Sequence, residues 1–291
     1  MLQKNSEKTA EFYDIMTDSF IDVWSHHIHM ALWTNNTKNL NEALNYTHKL
    51  FLNDASIKKK DNILDVGFGT GEFCVFLANN LDNLITGINI SEHQLNIANK
   101  KKKELKLNNV EFIKKNVYEL DTLGKKFDVV FMLEIGLHLP DTKKALKKIF
   151  KSLNRGGRLI VVDWLQKDKI TMFEKELLIA PLLKKWRFHS FESLETYDKM
   201  FSELGFEIIK FEDCSKKVYK SWQFAYNLII RRIHEMDTLK FLKLIKTGSL
   251  KYGPQKTIEI LKDNIEATFF TKICADIGVL KYAYFVVKKP A

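Results

Sequence analysis

The stretch Asp65-Val66-Gly67-Phe68-Gly69-Thr70-Gly71 speaks most directly of chemistry. Glycines at every second position let a turn approach a ligand closely, because no Cβ stands in the way. A helix opening behind such a turn offers unpaired amide donors, and Asp65 brings charge to the same end. A dinucleotide fold would use G-x-G-x-x-G, its third glycine packing helix against strand. Counted from Gly67 and Gly69 the third position is Glu72, and from Gly69 and Gly71 it is Cys74, so that fingerprint fails. Taken alone, the turn is also what any tight strand-to-helix junction needs.

Two further residues stand where a base would be useful. His138 follows the apolar run Phe127–Leu133, and Asp163 ends the run Arg158–Asp163. Ligands of open α/β sheets bind at the carboxyl ends of strands. A histidine near neutral pKa suits a general base, and an aspartate can orient it or bind substrate. A histidine capping the loop would look the same in sequence. His26, His27 and His29 resemble a metal cluster. On a helix His26 and His29 share a face, but no acidic or further histidine partner is evident, so no metal is expected. The aromatics Trp186, Phe188, Tyr197, Trp222 and Phe224 suit a pocket wall, although core packing is the commoner fate of any one of them.

The elements that must position these residues follow from periodicity. Residues 7–53 read as helices, with Phe12, Ile15, Met16 and Phe20, then Leu40, Ala43, Leu44, Thr47 and Phe51, at helical spacing. The period then changes. Short apolar runs at 62–66, 84–90, 110–113, 127–133 and 158–163 read as buried strands, with helices between them. Ser91 with Gln94 fits a capping box, Asp141 an N-cap, and Gly156-Gly157 a helix stop. Beyond Trp164 the pattern loosens into an inserted helical lid. A helix over 192–204, a strand over 206–212, a mostly helical 216–246 and a final strand over 280–287 follow. The expected fold is α/β, a doubly wound, mostly parallel seven-stranded sheet of Rossmann type. Its expected parts are an N-terminal helical cap (1–60), a core (61–165), the lid (166–205) and a C-terminal part with long helices (206–291).

With 291 residues and 45% apolar content, one large α/β domain with helical additions is expected. No apolar run spans a bilayer and the first residues lack a leader pattern. Cys74, Cys214 and Cys274 are too scattered for a disulfide framework or zinc cluster, which suits a cytoplasmic setting. The net charge of +10 comes from lysine runs such as Lys58–Lys60 and Lys100–Lys103, on the polar faces of helices or at element ends. Little arginine and no interleaved aromatics argue for solvated faces rather than a nucleic-acid groove.

In order, N-I-L-D-V-G-F-G-T-G, T-G-I-N-I-S-E-H-Q-L, F-D-V-V-F-M-L-E-I-G-L-H-L-P-D and L-N-R-G-G-R-L-I-V-V-D cover residues 62–165. This ensemble resembles class I S-adenosylmethionine-dependent methyltransferases. The branch is the one holding the ubiquinone, tocopherol, dimethylglycine, sugar-O and cyclopropane-fatty-acid enzymes. The resemblance implies that Asp65, Gly67, Gly69 and Gly71 hold the methionine end of the cofactor. It places Asn89 where an acid usually binds the ribose, with Ile90 beside it, and Gln94 near ribose or adenine. Asn116 and Val117 fall at the adenine, and Leu133 and Glu134 near the methionine amino group. Tyr13, His29 and Trp33 match an N-terminal segment that closes over cofactor and substrate; Glu134, Trp186, His189 and Tyr197 complete the expected acceptor pocket. The resembling branch often carries histidine near position 138.

The implied activity is methylation of an O, N or C atom of a small metabolite. A lipid C-methylating or cyclopropane-forming enzyme is a close alternative. A nucleic acid methyltransferase would carry a polar-Pro-Pro-aromatic motif where Glu134-Ile135-Gly136-Leu137 stands. A protein that keeps fold and cofactor for binding, or for guiding another reaction, is the remaining alternative.

Overall fold

The computed structural model describes residues 2–243, 246 and 253–291. Seven strands form one sheet in the order β3-β2-β1-β4-β5-β7-β6. They are β1 (Ile63–Val66), β2 (Ile85–Asn89), β3 (Val110–Lys114), β4 (Phe127–Leu133), β5 (Leu153–Gln166), β6 (Glu207–Asp213) and β7 (Leu280–Lys288). The first five pair in parallel, and β7 runs antiparallel between β5 and β6. The chain order reverses at β1, between β2 and β4, which opens a crevice at the carboxyl ends of those strands.

Strand alternation divides the core. Ile63, Val129, Phe131, Ile160 and Val162 face one side of the sheet. Leu64, Val130, Met132, Leu159 and Val161 face the other. Because helices cover both faces, β1 is buried at all four positions, Asp65 included. On the second face, α5 (Thr142–Ser152) presents Ala145, Leu146 and Ile149, and Asp141 caps it by accepting from the Lys144 N–H.

Helix α1 (Leu2–Trp24) ends before the histidines, and residues 25–39 are not helical. The helix expected to carry His26 and His29 on one face is therefore replaced by an arm. Tertiary partners hold it extended. The backbone N–H groups of Met30, Ala31, Leu32 and Trp33 donate to Glu134 Oε1, Ser221 Oγ, Thr47 Oγ1 and Lys217 O. Four consecutive amides satisfied from three segments leave none for a helix. Helix α2 (Leu40–Ala55) then starts at Asn39, whose side chain accepts from the Glu42 N–H.

Between α2 and α5 lie α3 (Glu72–Asn80) and α4 (Glu92–Glu104). Ser91 caps α4 by accepting from the Gln94 N–H, but the Gln94 side chain does not return to it. Gln94 instead accepts from Asn89 and donates to Thr17 of α1, which ties the N-terminal helix to the core. Asp14 accepts from Ser91 Oγ and the His93 N–H at the same junction.

Beyond β5, residues 172–186 are helical, and α6 (Ala180–Trp186) closes that segment. Helix α7 (Leu194–Leu204) belongs to the core rather than to a lid, since Tyr197, Met200 and Phe201 are buried against the sheet. Helix α8 (Ser215–His234) covers part of the helical stretch expected to 246, of which residues 244 and 245 lie outside the described residues. Helix α9 (Pro254–Asp276) was not legible from periodicity, because its apolar residues are spread around its circumference. No helix among the described residues is long and apolar enough to cross a membrane.

Candidate active site

The glycine turn adopts backbone geometry that only glycine takes at low cost, with φ of +76° at Gly67, +57° at Gly69 and +85° at Gly71. Gly67 and Gly69 line a cavity over the crevice, with Asn89 and Ile90 after β2, Asn116 and Val117 after β3, and Leu133 and Glu134 after β4. A Cβ on Gly67 would stand 2.1 Å from Ile135 Cδ1, so the turn and the loop after β4 meet only because that carbon is absent. Such a cradle fits the amino-acid end of S-adenosylmethionine.

A second cavity, of about 200 Å³, lies beyond it. Its walls are mainly apolar and come from α1, the arm, the β5 end, the helical insert, α8 and α9. Phe20, Trp164, Trp186, Phe188 and Trp222 supply its aromatic face. The two cavities share four lining residues, Tyr13, Ile28, Glu134 and His138.

Polar side chains converge on this junction. His138 Nε2 lies 2.6 Å from the Tyr13 hydroxyl, and its Nδ1 is buried without a hydrogen-bond partner. The ring is edge-on to Tyr13 and to Phe188. Burial, with His189 nearby, pushes the imidazole down to about 3, so it is neutral. Glu134 takes a left-handed backbone, φ +56°, as β4 ends. Its Oε1 accepts from the Met30 N–H (2.5 Å) and the Tyr282 hydroxyl (2.7 Å), and its Oε2 accepts from Trp164 Nε1 (2.8 Å). Burial raises this carboxyl to about 7 against the lowering pull of those donors.

A family model described as "Methyltransferase domain" matches residues 57–199. The 27-O-demethylrifamycin SV methyltransferase of Amycolatopsis mediterranei (strain S699) is 27% identical over 223 residues, 76% of this chain and 82% of its own length. The 2-methyl-6-phytyl-1,4-hydroquinone methyltransferase of Synechocystis sp. (strain ATCC 27184 / PCC 6803 / Kazusa) is 27% identical over 99% of this chain and 90% of that one. In fold, the chain superposes on the [4+2]-cyclase SpnF with a TM-score of 0.80 at 21% identity, covering 98% of this chain and 96% of that one. The chain is a class I S-adenosylmethionine-dependent methyltransferase.

In this methyltransferase several residues expected at the site stand elsewhere. Gly71 does not line the cofactor cavity; it opens α3, and a Cβ there would meet Ala98 at 2.9 Å and Phe112 at 3.0 Å. Asp65 is buried beneath the turn and accepts from the Cys74 thiol at 3.1 Å. The amide oxygen of Asn89 is not open to a ribose hydroxyl, because both lone pairs already accept from the Ile90 and Ser91 N–H groups, at 2.7 and 3.2 Å. Gln94 and Asn116 line the cavity, though each also braces a turn.

Asp163 lies outside both cavities and is not a reacting group. It accepts from the Tyr197 hydroxyl at 2.5 Å and from the Trp164 and Leu137 N–H groups. Tyr197 is likewise a core residue. The pair presses against Gly136, where a Cβ would come within 2.0 Å of Asp163 Oδ2, and so fixes the loop that carries His138. His189 braces the same loop, donating its backbone N–H to Leu137 O at 2.8 Å. Trp33 is packed away from the pocket and donates to Ser221 Oγ. His29, Trp186, Phe188 and Trp222 line the second cavity.

Sequence reasoning did not single out Ile28, Met30 or Trp164, nor the α9 wall formed by Leu261, Ile265 and Thr268. Trp164 had a usable signal, since it directly follows the apolar run Arg158–Asp163 and lies near the carboxyl end of β5. The α9 wall had none.

Three carboxyls of the methyltransferase core, Asp65, Glu134 and Asp163, are held up at about 7, 7 and 8 by burial. Each keeps its proton in the folded chain at pH values where the unfolded chain has lost it. Stability from these groups is therefore full below about pH 4 and is lost as pH rises through about 7 to 8. Thermal melts should show a falling Tm between about pH 5 and pH 9. A Tm that climbs over that window would mean that these carboxyls ionise freely.

Proposed function

We propose that the acceptor is a largely apolar small molecule that presents one nucleophilic oxygen or carbon at the junction of the two cavities. The observation that carries this reading is their sharing of Tyr13, Ile28, Glu134 and His138, which leaves one passage between cradle and apolar pocket. Aromatic walls on the acceptor side offer burial and orientation, with few polar groups to satisfy. The relatives named for 27-O-demethylrifamycin SV and 2-methyl-6-phytyl-1,4-hydroquinone support a small-molecule acceptor here.

When bound, S-adenosylmethionine supplies an electrophilic methyl group on a sulfonium. Gly67, Gly69, Leu133 and Glu134 would hold its methionine part, and Ile90, Gln94, Asn116 and Val117 would surround the ribose and adenine. Ile28 and the aromatic walls exclude water and align the nucleophile, an effect that supplies about 7–11 kcal/mol in well-oriented systems. An acceptor hydroxyl can donate to Tyr13 Oη while Tyr13 donates to His138 Nε2. A neutral imidazole as weakly basic as this one does not ionise an alcohol beforehand. It would suffice to take the proton from the far more acidic oxygen left once that oxygen has gained the methyl group and the methyl–sulfur bond has broken, with S-adenosylhomocysteine as the leaving group.

A small-molecule acceptor rather than nucleic acid is supported by ion pairs such as Lys114–Glu92, Lys143–Glu203 and Lys148–Asp121, which engage part of the lysine-rich exterior. Three free, buried cysteines support a reducing, cytoplasmic setting.

The test is a panel of aromatic and isoprenoid alcohols, phenols and polar controls incubated with cofactor carrying an isotope-labelled methyl group. Labelled product and S-adenosylhomocysteine should appear in equal amounts and only with apolar acceptors. Turnover of polar metabolites instead would overturn the assignment. An isomerised product without S-adenosylhomocysteine would favour a cyclase-like use of the same cavity.

A further inference from the structure

Three imidazoles gather behind the acceptor cavity, where sequence alone showed no metal partner. His27 and His29 come from the arm after α1 and His48 from α2, and one ring nitrogen of each lies within 4.8 Å of the other two. His29 Nε2 and His48 Nε2 are 2.8 Å apart. His29 Nδ1 lies 3.0 Å from the Met30 carbonyl, which can only accept. Nδ1 therefore carries the proton, and the lone pair of Nε2 points into the cluster. A metal-binding histidine is oriented in this way, with its second nitrogen donating to a backbone carbonyl. His27 Nδ1 is buried without a hydrogen-bond partner.

We propose that His27, His29 and His48 form a site for a d-block divalent cation, Zn²⁺ or a close analogue such as Co²⁺, with water completing a tetrahedron. The chemistry of the set selects the ion. Three neutral imidazoles suit zinc, cobalt, nickel or copper, whereas magnesium and calcium require oxygen ligands. Lys101 on α4, whose charge is felt at His27, is paired with Glu72. With metal–nitrogen bonds of about 2.0–2.1 Å, tetrahedral nitrogens stand roughly 3.3 Å apart, so His29 and His48 part by about half an ångström while His27 closes in. Phe73 and Phe76 of α3 stack near His48 at 5.1 and 5.0 Å and wall the site from water on that side.

The ion would clamp the arm to α2. Ile28 stands between His27 and His29 and lines both cavities, so the clamp would set the passage between cofactor and acceptor. The inference does not rest on the nature of the acceptor.

The experiment uses the full untagged chain, stripped with chelator and titrated with Co²⁺. One equivalent should bind with the intense visible bands of tetrahedral cobalt, be displaced by Zn²⁺, and raise the Tm. His48→Gln and His27→Gln should each weaken Co²⁺ binding by about tenfold or more and remove the bands and the Tm increment. His234→Gln, at the end of α8, should change nothing. His27 is only partly buried, so its variant decides the matter if His48→Gln fails to fold. Pale octahedral cobalt spectra, or stoichiometric binding that survives both substitutions, would overturn the site.

Discussion

His138→Ala is expected to lower turnover by roughly 10²–10⁴-fold, the range for a positioned acid–base group, with cofactor affinity little changed. The expectation rests on the 2.6 Å contact between His138 Nε2 and the Tyr13 hydroxyl at the junction of the cavities. The pH dependence is the sharper readout. An exposed histidine would give a rate limb near its ordinary value of 6.5, but burial pushes His138 down to about 3. A base with a lowered pKa is already deprotonated above that value. His138 should then contribute no limb to the wild-type kcat between about pH 5 and pH 8, and a limb near 7 belongs to Glu134 and should survive in His138→Ala. Tyr13→Phe should lose part of the same rate and keep the wild-type pH profile. A loss under about tenfold for His138→Ala would leave alignment alone to carry the chemistry.

Gly67→Val is expected to weaken cofactor binding by more than an order of magnitude while circular dichroism stays native. Valine at φ +76° meets left-handed strain of about 1–2 kcal/mol. Its Cβ would also overlap Ile135 Cδ1, an overpacking cost of about 1–3 kcal/mol. The turn relieves both by moving into the cavity it shapes, so affinity should fall by roughly 30- to 3,000-fold at about 1.4 kcal/mol per factor of ten. Calorimetry with S-adenosylmethionine and S-adenosylhomocysteine measures this directly. Gly71→Val is the informative contrast. Its Cβ meets Ala98 and Phe112 outside the cavity, so it should lower the Tm more than the affinity. Native affinity in Gly67→Val would remove the turn from the cofactor site.

Much of the fold was legible because its signals are local. The runs that became β1, β2 and β4 are buried on both faces, and that burial writes itself into consecutive residues. Asp141 and Ser91 cap helices through their own backbone neighbourhoods, which sequence spacing records. The arm was misread as helix because its four amides are claimed by residues from 15 to 190 positions away, and periodicity cannot see such partners.

By itself the sequence determined the order of strands and helices, the glycine turn at the first strand's end, and hence the methyltransferase class. Those features depend on backbone freedom and on side-chain alternation within a few residues. Only the tertiary structure decided which strand-end groups face the ligand. Asp163 and Glu134 both stand near the carboxyl ends of strands, yet Asp163 turns toward Tyr197 in the core, while the left-handed backbone at Glu134 aims its carboxyl at the junction. Tyr13 meets His138 across 125 residues, and His48 joins His29 across 19. These meetings are set by how α1, the arm and α2 pack on the sheet, a balance of burial and amide satisfaction that no short stretch of sequence contains.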